Sequence, residues 1–215
     1  SIELSSNSIH ILAGEKRTVY ILSDLEKFQM GLGLQSENPQ IATVEPQNDS
    51  KAILITGNSV GNTSIYLRDL KYPDNYAEIK VISDYLSGKF IEKGDSSNTW
   101  INGDDLHIRE IIESELRGIA KSRSGILYSF DKDTKAVEID YSSSDYDNNK
   151  RIGTYEWDKD SLTLNFNNSI SKHGFAVVND HTIIIVLDFT EKCKSKYPNA
   201  SVRGAKIQCF LSAIE

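Results

Sequence analysis

The chain has 215 residues, 39% of them hydrophobic and 26% charged, with a formal net charge of -7. This balance is that of a globular protein and excludes a largely disordered one. The excess of acid repels phosphate backbones and anionic lipid faces, so neither nucleic acid nor an anionic membrane surface is an expected partner.

The length predicts two domains, since domains commonly run to about 100–150 residues. No apolar run approaches the roughly 20 residues that span a bilayer. The longest aliphatic run, Ile183 to Leu187, is strand-sized. The sequence opens on Ser1-Ile2-Glu3-Leu4. It reads as a processed or trimmed chain, so a missing leader is no argument for the cytoplasm.

The first third alternates apolar and polar residues in short segments. Ile9 and Ile11 share a face, Gly14-Glu15 turns the chain, and Val19 and Ile21 follow. Met30, Leu32 and Leu34 form the next face. Asn38-Pro39 precedes the segment Ile41 to Val44. Asn48-Asp49-Ser50 reads as a turn, Ile53 and Ile55 as a strand face, and Gly57 to Asn62 as a loop. Ile65 and Leu67 alternate again, Tyr72-Pro73-Asp74-Asn75 turns, and Ile79 and Val81 end the series. Period-two patterning with frequent turn signals predicts a β-sandwich or barrel.

The stretch Ser36-Glu37-Asn38-Pro39-Gln40-Ile41-Ala42-Thr43-Val44 resembles one found in bacterial Ig-like domains of the BIG type. Ile53 to Gly57 followed by Val60 to Leu67 is similar to a second stretch of that family, and Ile79-Lys80-Val81 fits its last strand. The resemblance covers about 80 residues. It implies an Ig-like β-sandwich over residues 1–83 and the context of bacterial surface proteins. Gly57 and Gly61 suit positive φ where the chain turns.

Residues 84–215 read as a second, α+β domain: an antiparallel sheet with one main helix. Residues 85–94 read as its first strand and Gly94 to Asn98 as a loop; Trp100 stands in a loop-like context beside Asn102-Gly103. Ile108, Ile111, Ile112, Leu116 and Ile119 fall on one face of a 3.6-residue period. Asp104 or Asp105 suits the N-cap, and Lys121 and Arg123 suit the C-terminal end. Gly118 marks a place where this helix would weaken or break.

Three hairpins follow, at 126–141, 152–166 and 175–187, with a polar loop at 142–150. A short helix at 190–197 and a closing strand at 202–211 end the chain. Leu86 to Phe90, Gly153 to Trp157 and Leu162 to Leu164 are similar to small lipocalin-like domains, from whose up-and-down barrel the central helix departs.

No catalytic template fits. G-x-S-x-G, the P-loop and the dinucleotide fingerprint are absent. The Asp131-Lys132-Asp133 segment starts like a calcium loop, but Ala136 and Ser142 occupy its glycine and glutamate positions. No catalytic, cofactor or metal residues are therefore assigned. Four scattered histidines give no ligand spacing. Cys193 and Cys209 leave two readings: a disulfide worth about 3 kcal/mol, or two buried thiols.

The binding candidates are aromatic: Trp100, and Tyr155 with Trp157 on one face of a strand, where they either stack on a partner or fill the core. The expected function is that of a non-enzymatic exported protein of the cell envelope or surface. Its Ig-like spacer would carry a module that binds glycan or protein, with a lipid anchor in the precursor. The alternatives are a glycan-acting hydrolase with a carboxylate site in the second domain, and a calycin-like carrier of a small ligand.

Overall fold

The computed structural model describes residues 1–47 and 51–214; the expected turn at Asn48-Asp49-Ser50 lies outside them. The chain divides into two compact units, Ser1–Tyr85 and Leu86–Glu215.

The first unit contains β1 (Ser8–Leu12), β2 (Lys16–Tyr20), β3 (Leu32–Ser36), β4 (Ala42–Pro46), β5 (Ala52–Gly57), β6 (Gly61–Asp69) and β7 (Tyr76–Asp84). They form a four-stranded sheet, β1-β7-β6-β3, and a three-stranded sheet, β2-β5-β4. The β1–β7 pair is parallel. The alternation in sequence produces the layers. Ile65, Leu67, Ile79 and Val81 from one sheet and Val19, Ile53 and Ile55 from the other share one buried core. Burying each such side chain contributes about 1.5–3 kcal/mol.

Met30 does not join the face of Leu32 and Leu34. Gly31, at φ 82°, turns the chain first, and Met30 is left exposed outside β3. Gly61 does take a positive φ, 152°, whereas Gly57 does not. A Cβ on Gly57 would instead press on the Leu12 carbonyl and the Ser83 hydroxyl, both at 3.0 Å.

The second unit contains β8 (Gly88–Glu92), β9 (Asn98–Asn102), α1 (Leu106–Ser122), β10 (Leu127–Asp131), β11 (Ala136–Asp140), β12 (Lys150–Asp158), β13 (Ser161–Phe166), β14 (Ser169–Asn179), β15 (Thr182–Asp188), α2 (Thr190–Lys196) and β16 (Gly204–Ile214). Consecutive strands from β10 to β15 pair in antiparallel order, as do β15 with β16, β16 with β8, and β8 with β10. The sheet therefore closes on itself as an eight-stranded barrel. β9 extends from the other half of β16.

This corrects the expectation of a helix departing from a barrel. α1 is an insertion packed on β9 and β16. It leaves β8 free to pair directly with β10, Leu127 opposite Ile91. Asp105 caps α1 by accepting from the Ile108 N–H at 3.0 Å. Ile112, Leu116 and Ala120 are its buried face. Gly118 does not break it.

The loop between β11 and β12 is tied down. The Tyr141 N–H donates to the Asn149 carbonyl, and the Asp145 N–H donates to the Ser122 carbonyl at the end of α1.

Candidate functional site

Alternation around the barrel decides what the interior holds. Phe130 in β10, Tyr155 and Trp157 in β12, Leu162 in β13 and Phe175 in β14 are all buried. Trp157 meets Phe175 edge to face at 5.7 Å between ring centroids, and Phe130 meets Tyr155 at 5.0 Å. The Tyr155 hydroxyl donates to the Leu86 carbonyl. Tyr155 and Trp157 are thus core residues, and neither is a surface stacking platform.

The packing does not extend through the whole interior. A cavity of about 590 Å³ opens among β10 to β15. Ile139, Leu164, Phe166, Ile185 and Leu187 give it apolar walls. Tyr128, Tyr141, Ser169, Ser171, His173 and Arg123 give it polar ones, with Lys150 and Arg151 at the β12 end. Among the described residues lining it there is no carboxylate.

Arg123 reaches the cavity because it directly follows α1. Its side chain is 6% exposed, and Nε donates to Glu92 Oε2 at 2.9 Å. Its Nη2 donates to Glu92 Oε1 at 3.1 Å and to the Tyr128 hydroxyl at 2.8 Å. That hydroxyl donates to Glu92 Oε1 at 2.9 Å. The Tyr146 ring lies over the guanidinium at 4.8 Å.

Burial pushes the Glu92 carboxyl up, against the opposing pull of Arg123. Burial alone would lower the Arg123 pKa, but Tyr128 and Glu92 more than offset it and hold the guanidinium charged. The Cys209 thiol is pushed up to about 12, by burial first and the Glu92 charge second.

His173 stands in β14, where Ser171 Oγ lies 3.0 Å from Nε2. Burial lowers its pKa; the Val186 backbone contact opposes this, and the Arg123 charge adds to it. Burial thus favours the neutral imidazole over the imidazolium.

Cys193 and Cys209 are both free and buried, so no disulfide joins them. Their surroundings differ: Cys209 sits with Glu92 and Arg123, and Cys193 with Glu115 and Lys196.

Trp100 lies in β9, not in a loop, and is 51% exposed. Its ring covers Gly204, where a Cβ would come within 2.1 Å of the indole, so only glycine fits beneath it. With Ile101, Leu106, Arg109, Glu110 and Glu113 it lines a groove of about 380 Å³.

Among the described residues, no group of three or more His, Cys, Asp or Glu side chains is placed to hold a metal. No helix among them is long and apolar enough to cross a membrane.

Sequence reasoning missed Arg123, Glu92, Ser171 and His173. One signal was present: Glu92 shares the period-two face of Phe90, a carboxylate in a core position.

No family model and no curated protein matches the chain. Among solved structures it is similar to domains 4 and 5 of the S-layer protein SbsC, at 18% identity and TM-score 0.31, over 40% of this chain and 51% of that one. It thus spans about half of that structure. Domains 5–6 of the same protein give 12% identity and TM-score 0.33 over 97% of this chain and 95% of that one. TM-scores this low do not establish a shared fold.

Proposed function

We propose that this chain is a non-catalytic binding protein of the cell surface, whose second unit holds a small molecule in the hollow part of its barrel. The observation that carries this reading is the cavity of about 590 Å³ within a closed antiparallel barrel. Small-molecule sites commonly measure about 300–1,000 Å³, with apolar walls and a few convergent polar groups. An eight-stranded barrel has room for its own side chains or for one small ligand. The first unit serves as a spacer, in line with its resemblance to bacterial Ig-like domains.

The hydrolase alternative asks for two carboxylates about 5–10 Å apart across a cleft. The described lining of the cavity contains none, and Glu92 beside it is engaged by Arg123 and Tyr128. These facts favour carriage over hydrolysis.

Native mass spectrometry of the full chain, after incubation with a library of small amphipathic compounds, tests the reading. Adducts that vanish in Ser171→Phe, which sets a ring inside the cavity, support it. Adducts indifferent to that substitution place the ligand elsewhere and sink it.

A second reading, recognition of a glycan or protein through Trp100, is favoured by the exposed indole clamped over Gly204. A rigid exposed ring suits stacking on a sugar face or a partner side chain. A glycan array probed with the wild type and with Trp100→Ala decides whether the ring binds sugar.

A further inference from the structure

The polar groups around the cavity are mostly donors. Arg151 shares the inner face of β12 with Tyr155 and Trp157, where alternation calls for an apolar residue. Its ion pair with Asp147 is 3.8 Å long, beyond hydrogen-bond range. Its guanidinium lies 5.5 Å from the centre of the Tyr141 ring.

The other cations are better matched. Lys150 is 3.1 Å from Glu138 and 3.7 Å from Asp140, and Arg123 is spent on Glu92. Among the described residues that line the cavity, Arg151 is therefore the permanent cation with the longest carboxylate contact, to Asp147 at 3.8 Å. Ser169 and Tyr141 add hydroxyls to the same lining. A carboxylate, sulfonate or phosphate accepts from such groups and donates little in return. The planar fork of arginine fits two oxygens of such a head at once. Ile139, Leu164, Ile185 and Leu187 in the same lining offer an apolar surface.

We propose that the cavity takes a small amphipathic acid, its anionic head held by Arg151 and its apolar body laid on Ile139, Leu164, Ile185 and Leu187. This rests on the carrier reading and adds the ligand's chemical class. The side chain of Arg151 is 54% exposed, so the head sits where water still reaches it. Its attraction weakens with added salt.

The matched probes are 8-anilino-1-naphthalenesulfonate and N-phenyl-1-naphthylamine. They share an aromatic body that fluoresces in apolar surroundings, and only the first carries a sulfonate. Titrated into the natively folded full chain, the sulfonate should bind at least about tenfold more tightly, a difference of about 1.4 kcal/mol. Arg151→Gln should erase that preference, Arg151→Lys should keep part of it, and Ser171→Phe should abolish both signals.

Equal binding of the two dyes, or a preference untouched by Arg151→Gln, overturns the acid proposal. The carrier reading survives that result if Ser171→Phe still removes both signals. Silence of both dyes, or signals that outlast Ser171→Phe, sinks the carrier reading and the acid proposal together.

Discussion

Around Trp157 the barrel interior is solid. Phe175, Leu162, Phe130 and Tyr155 interlock there and leave no lining surface to the cavity. Around Tyr141 and His173 the same strands leave a cavity lined by aliphatic groups, hydroxyls, an imidazole and guanidinium groups. The strands do not change between the two regions; the side chains do. An eight-stranded barrel closes at a diameter set by strand number and stagger. Whether its interior becomes core or container therefore depends on which residues occupy the inward positions. In β12 these run from Arg151 through Gly153 to Tyr155 and Trp157, so one strand contributes to both.

The solid and hollow regions should respond differently to substitution. Trp157→Ala should cost about 3–5 kcal/mol, as expected for a large residue removed from a packed core. Ser171→Ala, in the hollow region, should stay within about 0.5 kcal/mol. Urea denaturation of both variants measures the contrast, and equal losses would mean that the cavity wall is packed as tightly as the core.

At the cavity wall lies the Arg123–Glu92 pair. Arg123→Ala leaves a buried carboxylate without its cation and should cost about 3–5 kcal/mol. Replacing both partners with apolar residues of similar volume should recover most of that loss, read from the same denaturation midpoints.

The thiols give a sharper chemical test. Ellman's reagent should find neither Cys193 nor Cys209 in the native protein at pH 8, since both are buried and the Cys209 thiol is pushed up to about 12. Both should react in denaturant, and rapid native labelling of Cys209 would show that the interior opens beside Glu92.

The smallest expected effect is on pH dependence. The His173 pKa lies below its ordinary value of 6.5, chiefly through burial. A group with a depressed folded pKa that binds its proton more readily when unfolded favours the folded state above the unfolded pKa. That contribution is lost as pH falls through the folded pKa. Stability should therefore decline as pH drops below about 6.5, and His173→Gln should flatten that part of the profile.

The sequence made the three hairpins of the second unit legible, because Asp131 to Thr134, Asp158 to Asp160 and Asn179-Asp180 are turn residues between alternating segments. It did not show the full length of β14. Ser169, Ser171 and His173 on one face are polar, and Ile170 stands beside Lys172 and Gly174 on the other, so no run of alternating apolar residues marks them as strand. The functional part of the barrel was hidden for the reason that makes it functional.

Arg123 was equally opaque. Following Lys121, it reads as a cation suited to the helix dipole, and its partner Glu92 is distant in sequence. Barrel closure rests on β8 meeting β16, a pairing that no local pattern announces.

The pairing of β16 has a further consequence, for the order of assembly. This strand meets β15 along Lys206–Ser212, β9 along Gly204–Gln208 and β8 along Leu211–Ile214. Contacts so distant along the chain form slowly, because a long loop must close before they are rewarded. Until β16 arrives, β8 and β15 present bare edges that invite pairing with other chains. The barrel closes only when β16 has joined β15 to β8. A ligand that prefers the closed barrel shifts the balance away from those exposed intermediates.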